Sequence, residues 1–305
     1  YCSLSPMRRA AEKFREAVKI LPLSISDHAI FAGTQRDAFA RSYALINPSF
    51  RVETFAGYCD PTAVYNDIDP TEEFPKERIE ALRELDKQTD YVKTLSAVYK
   101  DCEKLTGEVA FFVEQVTGHL IPDMRYALKY GIKTMLSDIE EKQKTANDEQ
   151  KENYEAMKIA LDCVLILTSR YKAIAEEKLS SATGERKEQL QLMVDTLTKV
   201  PENGAETLYE ALQSFMLLWE IMCLEQAPNP FAFSVGNADR IFEPYRKADN
   251  LSREEAAALF KHFLVFFNVG DRSWAISQNL IVSGRDENGN DLTNDTTYAL
   301  LDAYY

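Results

Sequence analysis
The chain has 305 residues, 45% apolar and 28% charged, which is enough material in a soluble, globular balance for a large packed core. Its formal net charge of -14, with no basic stripe to offset it, argues against nucleic acid or an anionic membrane surface as a partner. The longest apolar stretches, such as Phe263 to Val269, are too short to span a bilayer, and Tyr1-Cys2-Ser3 does not open a signal-peptide layout.

In chain order, Ser5-Pro6 predicts a helix start, with a capping serine and a proline at the first helical position. The helix it opens, Met7 to Leu21, carries Ala11, Phe14, Val18 and Leu21 on one face. Residues 22–72, with Pro22, Pro48, Pro61 and Pro70, read as irregular. From Pro75 to about Gln226 the pattern is helical, with breaks at Gly118 to Pro122, Thr145 to Asp148, Gly184 and Pro201 to Gly204. Within it, Leu161, Val164, Leu165, Thr168 and Tyr171 predict a core-facing stripe. The polar piece Ala146 to Glu152 and the Glu-rich run from Glu140 to Glu155 read as solvated.

Ser252 with Glu254-Glu255 predicts a helix running to about Asn268. Gln278 to Ser283, holding Ile281 and Val282, reads as a short buried strand. Asn288-Gly289 marks a turn, after which Asn294 or Asp295 caps a last helix, Thr296 to Tyr305, with Ala299, Leu300 and Ala303 on its apolar face. One or two strands inside so helical a shell suggest that part of the core lies outside this segment. The missing initiator Met and the uncapped apolar helix at Tyr305 suggest a piece of a longer chain. The five Cys, at 2, 59, 102, 163 and 223, fit neither a disulfide framework nor a zinc site, and a reducing cytoplasm suits them best.

Three segments together resemble the pyruvate formate-lyase-like family of glycyl radical enzymes. The first is Thr117-Gly118-His119-Leu120-Ile121-Pro122-Asp123, followed by a helix reaching Gly131-Ile132. The second runs from Val200-Pro201-Glu202-Asn203 through Glu210-Ala211-Leu212-Gln213 to Ser234-Val235-Gly236-Asn237-Ala238-Asp239. The third is Trp274-Ala275-Ile276-Ser277-Gln278-Asn279-Leu280 with Gly284-Arg285-Asp286. Val235 and Asn237 depart from the family's usual Pro and Arg. Each motif is weak alone, but their order and intervals extend the likeness over nearly the whole chain.

The resemblance implies an α/β fold that is mostly helical in this segment: a helical shell plus the beginning of a ten-stranded barrel. Within a single domain over 1–305, it divides the chain into an irregular 1–72, a helical shell over 73–270, and a first barrel strand with its following helix over 271–305. It implies a parent enzyme, either a formate acetyltransferase-like C–C lyase or a dehydratase, acting on a small polar substrate. That parent would carry a glycyl radical installed by a radical S-adenosylmethionine activating enzyme, and would form a homodimer. The motifs for the radical cysteine and glycine are absent: no Cys follows a Gly, and Arg51-Val52 leads to Glu53-Thr54-Phe55. The segment is therefore expected to be inactive alone. The alternative is a non-catalytic helical partner-binding module derived from the family.

The candidate substrate-side residues are His119, Ser234, Trp274, Phe111 and Asp123. His119, in a break between helices, can move a proton or bond a hydroxyl, or can simply hold a loop carbonyl. Asp123 caps the next helix or joins the site. A metal pair with His119 lacks a third ligand. Ser234 donates to substrate, or it or Asn237 caps the helix beginning at Ala238. Phe111 and Trp274 are pocket walls or core packing, and Trp274 resembles the tryptophan lining the family's pocket. The Asp/Asn-rich run Asp286 to Asn294 lacks the glycine and glutamate spacing of a calcium loop and reads as a turn.

Overall fold
The computed structural model describes residues 4–21, 23–33, 76–88 with a few positions up to 97, 120–225, 233–268 and 279–305. Several of its helices begin where the chain supplies caps. Helix α1 (Pro6–Ile20) opens with Ser5 accepting from the Arg8 amide and Pro6 in the first turn, where a missing N–H is not needed. At its other end Arg170 donates to the Val18 and Leu21 carbonyls, which lack helical partners.

Helix α2 (Lys76–Lys87) precedes α3 (Met124–Gln143), and α4 (Asp148–Ser181) begins at a reciprocal capping box between Asn147 and Gln150. Helices α5 (Gly184–Lys199) and α6 (Leu208–Glu225) complete the first layer. Helix α4 packs against α1, α3, α5 and α6, so its buried face is wider than the predicted stripe. Ile159, Cys163, Leu167 and Ala175 join Val164, Thr168 and Tyr171 inside, while Leu161 and Leu165 are only half-buried. Helix α6 is apolar almost all round, as a central helix must be. Its Phe215 meets Phe242, Phe263 and Phe267 edge-on at 5.5 to 6.0 Å between ring centroids.

Helix α3 is interrupted at Gly131, whose φ of 77° and ψ of 169° leave the helical region. The 200–205 loop fills the gap. Ile132 and Lys133 donate their amides to the Pro201 and Glu202 carbonyls at 2.9 Å, and Ala205 donates to the Leu128 carbonyl at 2.8 Å. Two glycines permit the approach. A Cβ on Gly131 would lie 2.4 Å from the Asn203 carbonyl carbon, and one on Gly204 would lie 2.0 Å from the Lys129 oxygen.

Strands β1 (Gly236–Asn237) and β2 (Leu280–Ile281) pair in parallel, Gly236 opposite Leu280 and Asn237 opposite Ile281. A parallel pair needs a long crossover, and α7 (Ala238–Ala248) and α8 (Arg253–Asn268) lie within it. The Ser252 cap predicted for α8 forms, with Ser252 and Glu255 bonded reciprocally. Helix α9 (Asp295–Tyr304) starts at a capping box between Asn294 and Thr297 and packs its Ala299, Leu300 and Ala303 face against α8 and α7.

Three expectations change. Among the described residues the sheet is this two-residue parallel pair, so the start of a ten-stranded barrel is not displayed. Over the described part of the strand expected at Gln278 to Ser283, residues 279–283, the strand is Leu280–Ile281, and Ile281 is 44% exposed rather than buried. The outer face of β2 has no neighbouring strand among the described residues. Asn237 precedes α7 but makes no side-chain cap bond, because its Oδ1 accepts from the Arg240 guanidinium at 2.7 Å instead.

Candidate functional site
The parallel pair gathers the three sequence segments. Ser234 sits just before β1. Its amide donates to the Leu120 carbonyl at 3.0 Å, and its hydroxyl oxygen accepts from the Asn279 amide at 3.0 Å. Val235 donates to the Asn279 carbonyl at 3.3 Å. Residues 120–123, 233–237 and 279–281 therefore run together, with Ser234 buried at their centre.

Gly236 is required for this approach. It adopts a φ of +83°, and a Cβ there would lie 2.8 Å from the Ile121 methyl. The close contact holds the 120–123 turn, which directly follows His119, against β1.

Asp123 takes the capping role open to it from the sequence. Its carboxylate accepts from the Arg125 amide at 3.2 Å and from the Arg125 guanidinium at 2.8 and 3.0 Å. The hydrogen bond from Arg125 lowers the Asp123 pKa, and the side chain is largely exposed. His119, Phe111 and Trp274 lie outside the described residues.

Asp239 proves to be a hub. It is fully buried and accepts from the Arg240 amide at 2.8 Å, the Ser283 amide and the Thr297 hydroxyl. These bonds fasten the end of β2 and the start of α9 to the first turn of α7. One turn on, Glu243 accepts from Arg246 at 2.8 and 3.0 Å and from the Thr296 hydroxyl at 2.7 Å. Arg246 also reaches Asp295 at 2.9 Å. Burial pushes the Glu243 carboxyl up, but the donors Arg246, Thr296 and Lys247 outweigh it and hold the pKa at about 2. The network was missed in the sequence, although Asp239, Glu243 and Arg246 share one helix face at spacings of four and three.

Two features bear on radical and metal chemistry. Cys163, on α4, is fully buried, and burial pushes its thiol up to about 12. It is an inert core thiol. Among the described residues no group of three or more His, Cys, Asp or Glu is placed to hold a metal ion. No described helix is long and apolar enough to cross a membrane.

The pyruvate formate lyase-like family matches residues 3–305. The isethionate sulfite-lyase of Nitratidesulfovibrio vulgaris is 23% identical over 96% of this chain and 40% of its own length. The trans-4-hydroxy-L-proline dehydratase of Clostridioides difficile is 29% identical over 63% of this chain and 27% of its own. In structure, the chain is similar to a Roseburia inulinivorans protein of 1,2-propanediol dehydration, with a TM-score of 0.79, 23% identity, and coverage of 99% of this chain and 41% of that one. It is likewise similar to a glycyl radical enzyme of Archaeoglobus fulgidus, with a TM-score of 0.73 and 21% identity, covering 99% of this chain and 42% of that one. The chain thus spans about 27% to 42% of the length of these relatives.

Proposed function
Because the chain belongs to the pyruvate formate lyase-like family of glycyl radical enzymes, we propose that it builds the helical scaffold and one substrate-side wall of a radical lyase or dehydratase. The parent enzyme takes a small polar substrate, removes a hydrogen atom by radical chemistry and expels a leaving group from the neighbouring carbon. The names of its relatives, a sulfite-lyase and a dehydratase, favour elimination over acyl transfer. A radical S-adenosylmethionine activating enzyme installs the radical, which resides on residues other than the buried Cys163 thiol. The cytoplasm is the compartment, a homodimer the assembly, and the barrel of the parent grows from the β1–β2 pair.

The observation that carries this reading is the position of Ser234. Its backbone is bonded to Leu120 and its hydroxyl to Asn279, so three distant motifs converge on one hydroxyl. The work of these residues is to bind and orient. Ser234 gives its proton to a substrate oxygen, and His119, adjacent to Leu120, bonds or protonates the leaving group. Trp274 and Phe111 form the apolar walls that keep water from the radical. Asp123 contributes through α3, the helix that it caps.

The test is electron paramagnetic resonance after anaerobic incubation with a matched activating enzyme. The 305-residue chain is expected to give no glycyl radical, and the parent protein to give one. A radical signal on this chain overturns the scaffold reading. In the parent, Ser234→Ala is expected to keep the radical while lowering kcat/KM by about 10- to 100-fold, as for a lost substrate hydrogen bond. Unchanged turnover overturns the role of Ser234.

A further inference from the structure
Residues 23–33 form neither helix nor strand, yet Ile25, Ala29, Phe31 and Ala32 are buried. Side chains of three helices hold this strap by its backbone. Arg186 of α5 donates to the Ser26 and Ala29 carbonyls at 3.1 and 2.9 Å. On α6, the Tyr209 hydroxyl donates to the Ile30 carbonyl. Gln213 accepts from the Ala32 amide at 2.8 Å and donates to the Ala32 carbonyl at 3.1 Å. Phe31 stacks on Tyr209, with ring centroids 4.9 Å apart.

The third helix holds the strap by a bond of a different kind. The Ile30 amide donates to Nε2 of His262 on α8 at 3.3 Å. Nε2 accepts only in the neutral imidazole, and protonation turns the acceptor into a second donor facing an N–H. The Phe31 ring packs at a steep angle against the same imidazole, with centroids 5.7 Å apart, so a charge arising there is partly removed from water.

We propose that His262 is a proton-sensitive latch on the 23–33 strap: docked while the imidazole is neutral, released when it is charged. Among the described residues, the titratable and charged groups on the elements around it include Asp27 and His28 of the strap, Arg186 on α5, Tyr209 and Glu220 on α6, and Lys261 beside it. On α9, Tyr298 and Asp302 engage Arg253, at the opposite end of α8. Burial lowers the His262 pKa below its ordinary 6.5. A histidine held neutral in the docked state contributes fully above 6.5, and docking weakens as pH falls from there through the lowered value. Over that window the opening equilibrium rises by up to about tenfold per pH unit.

The test is hydrogen exchange by mass spectrometry on the whole chain from about pH 7.5 to 5, corrected for intrinsic rates, reading the peptide over 23–33. Protection of the strap is expected to fall below about pH 6.5 while α4 around Leu167 stays protected. His262→Gln, which retains an acceptor but takes no proton, is expected to remove the pH dependence, and His28→Gln to preserve it. A flat wild-type profile, or an unaltered slope in His262→Gln, overturns the latch. If His262→Gln loses α4 protection and so fails to fold, the wild-type imidazole titration by NMR decides. Strap opening that levels off where His262 titrates supports the latch, and opening that continues past it overturns the latch.

Discussion

At the scale of single residues, the carboxylates show how partners rather than position set chemistry. Asp123 and Glu243 each stand beside an arginine, but Asp123 is exposed and Glu243 buried. The buried one matters for stability, because its pKa of about 2 lies well below the ordinary 4.5. A carboxyl depressed in the folded state contributes fully above 4.5, and the contribution disappears as pH falls through about 2. Urea denaturation should therefore show a stability gap between wild type and Glu243→Gln that widens from about pH 2 to 4.5 and stays constant above. A gap independent of pH in that window would contradict the assignment. Single-residue signals were also the most legible in the sequence. Ser5, Ser252 and Asn294 cap helices as their neighbours predict, since a cap is a bond across three residues. Ser234 was legible as a candidate, but its pairing with Asn279 was not, because 45 residues separate them.

At the scale of elements, the features that escaped the sequence lie where two elements must approach. The break at Gly131 had no signal of its own, since one glycine in a helical pattern is usually tolerated. The Pro201 to Gly204 break was visible, but not its insertion into α3. The approach leaves no room for side chains, so Gly204→Ala should destabilise the protein by about 1–3 kcal/mol, through a Cβ forced against the Lys129 carbonyl. Thermal or urea denaturation measures this. Unchanged stability in Gly204→Ala would refute the interlock. The width of the α4 core face escaped for a related reason. A stripe read from one helix assumes one neighbour, and among the described residues α4 packs against at least four helices.

At the scale of the whole molecule, the mostly helical architecture was legible because helix periodicity and caps are local. The sheet was not, because a two-residue parallel pair leaves almost no alternation to read, and pairing joins positions 44 residues apart. The family likeness bridged that distance by supplying order and spacing. The interlock between α3 and the 200–205 loop also determines how the molecule responds to being cut. Lys144, Thr145 and Asn147 form an exposed turn between α3 and α4. The chain on the N-terminal side of that turn is joined to the C-terminal side by main-chain bonds at 128–133 and by the α1 packing on α4, not by the peptide link alone. A single tryptic nick after Lys144 should leave two pieces that co-elute in native chromatography and separate only in denaturant. Separation under native conditions would count against it. Continuity of the chain is thus dispensable at this turn, which makes it the natural place to insert a reporter or to split the protein into halves that reassemble.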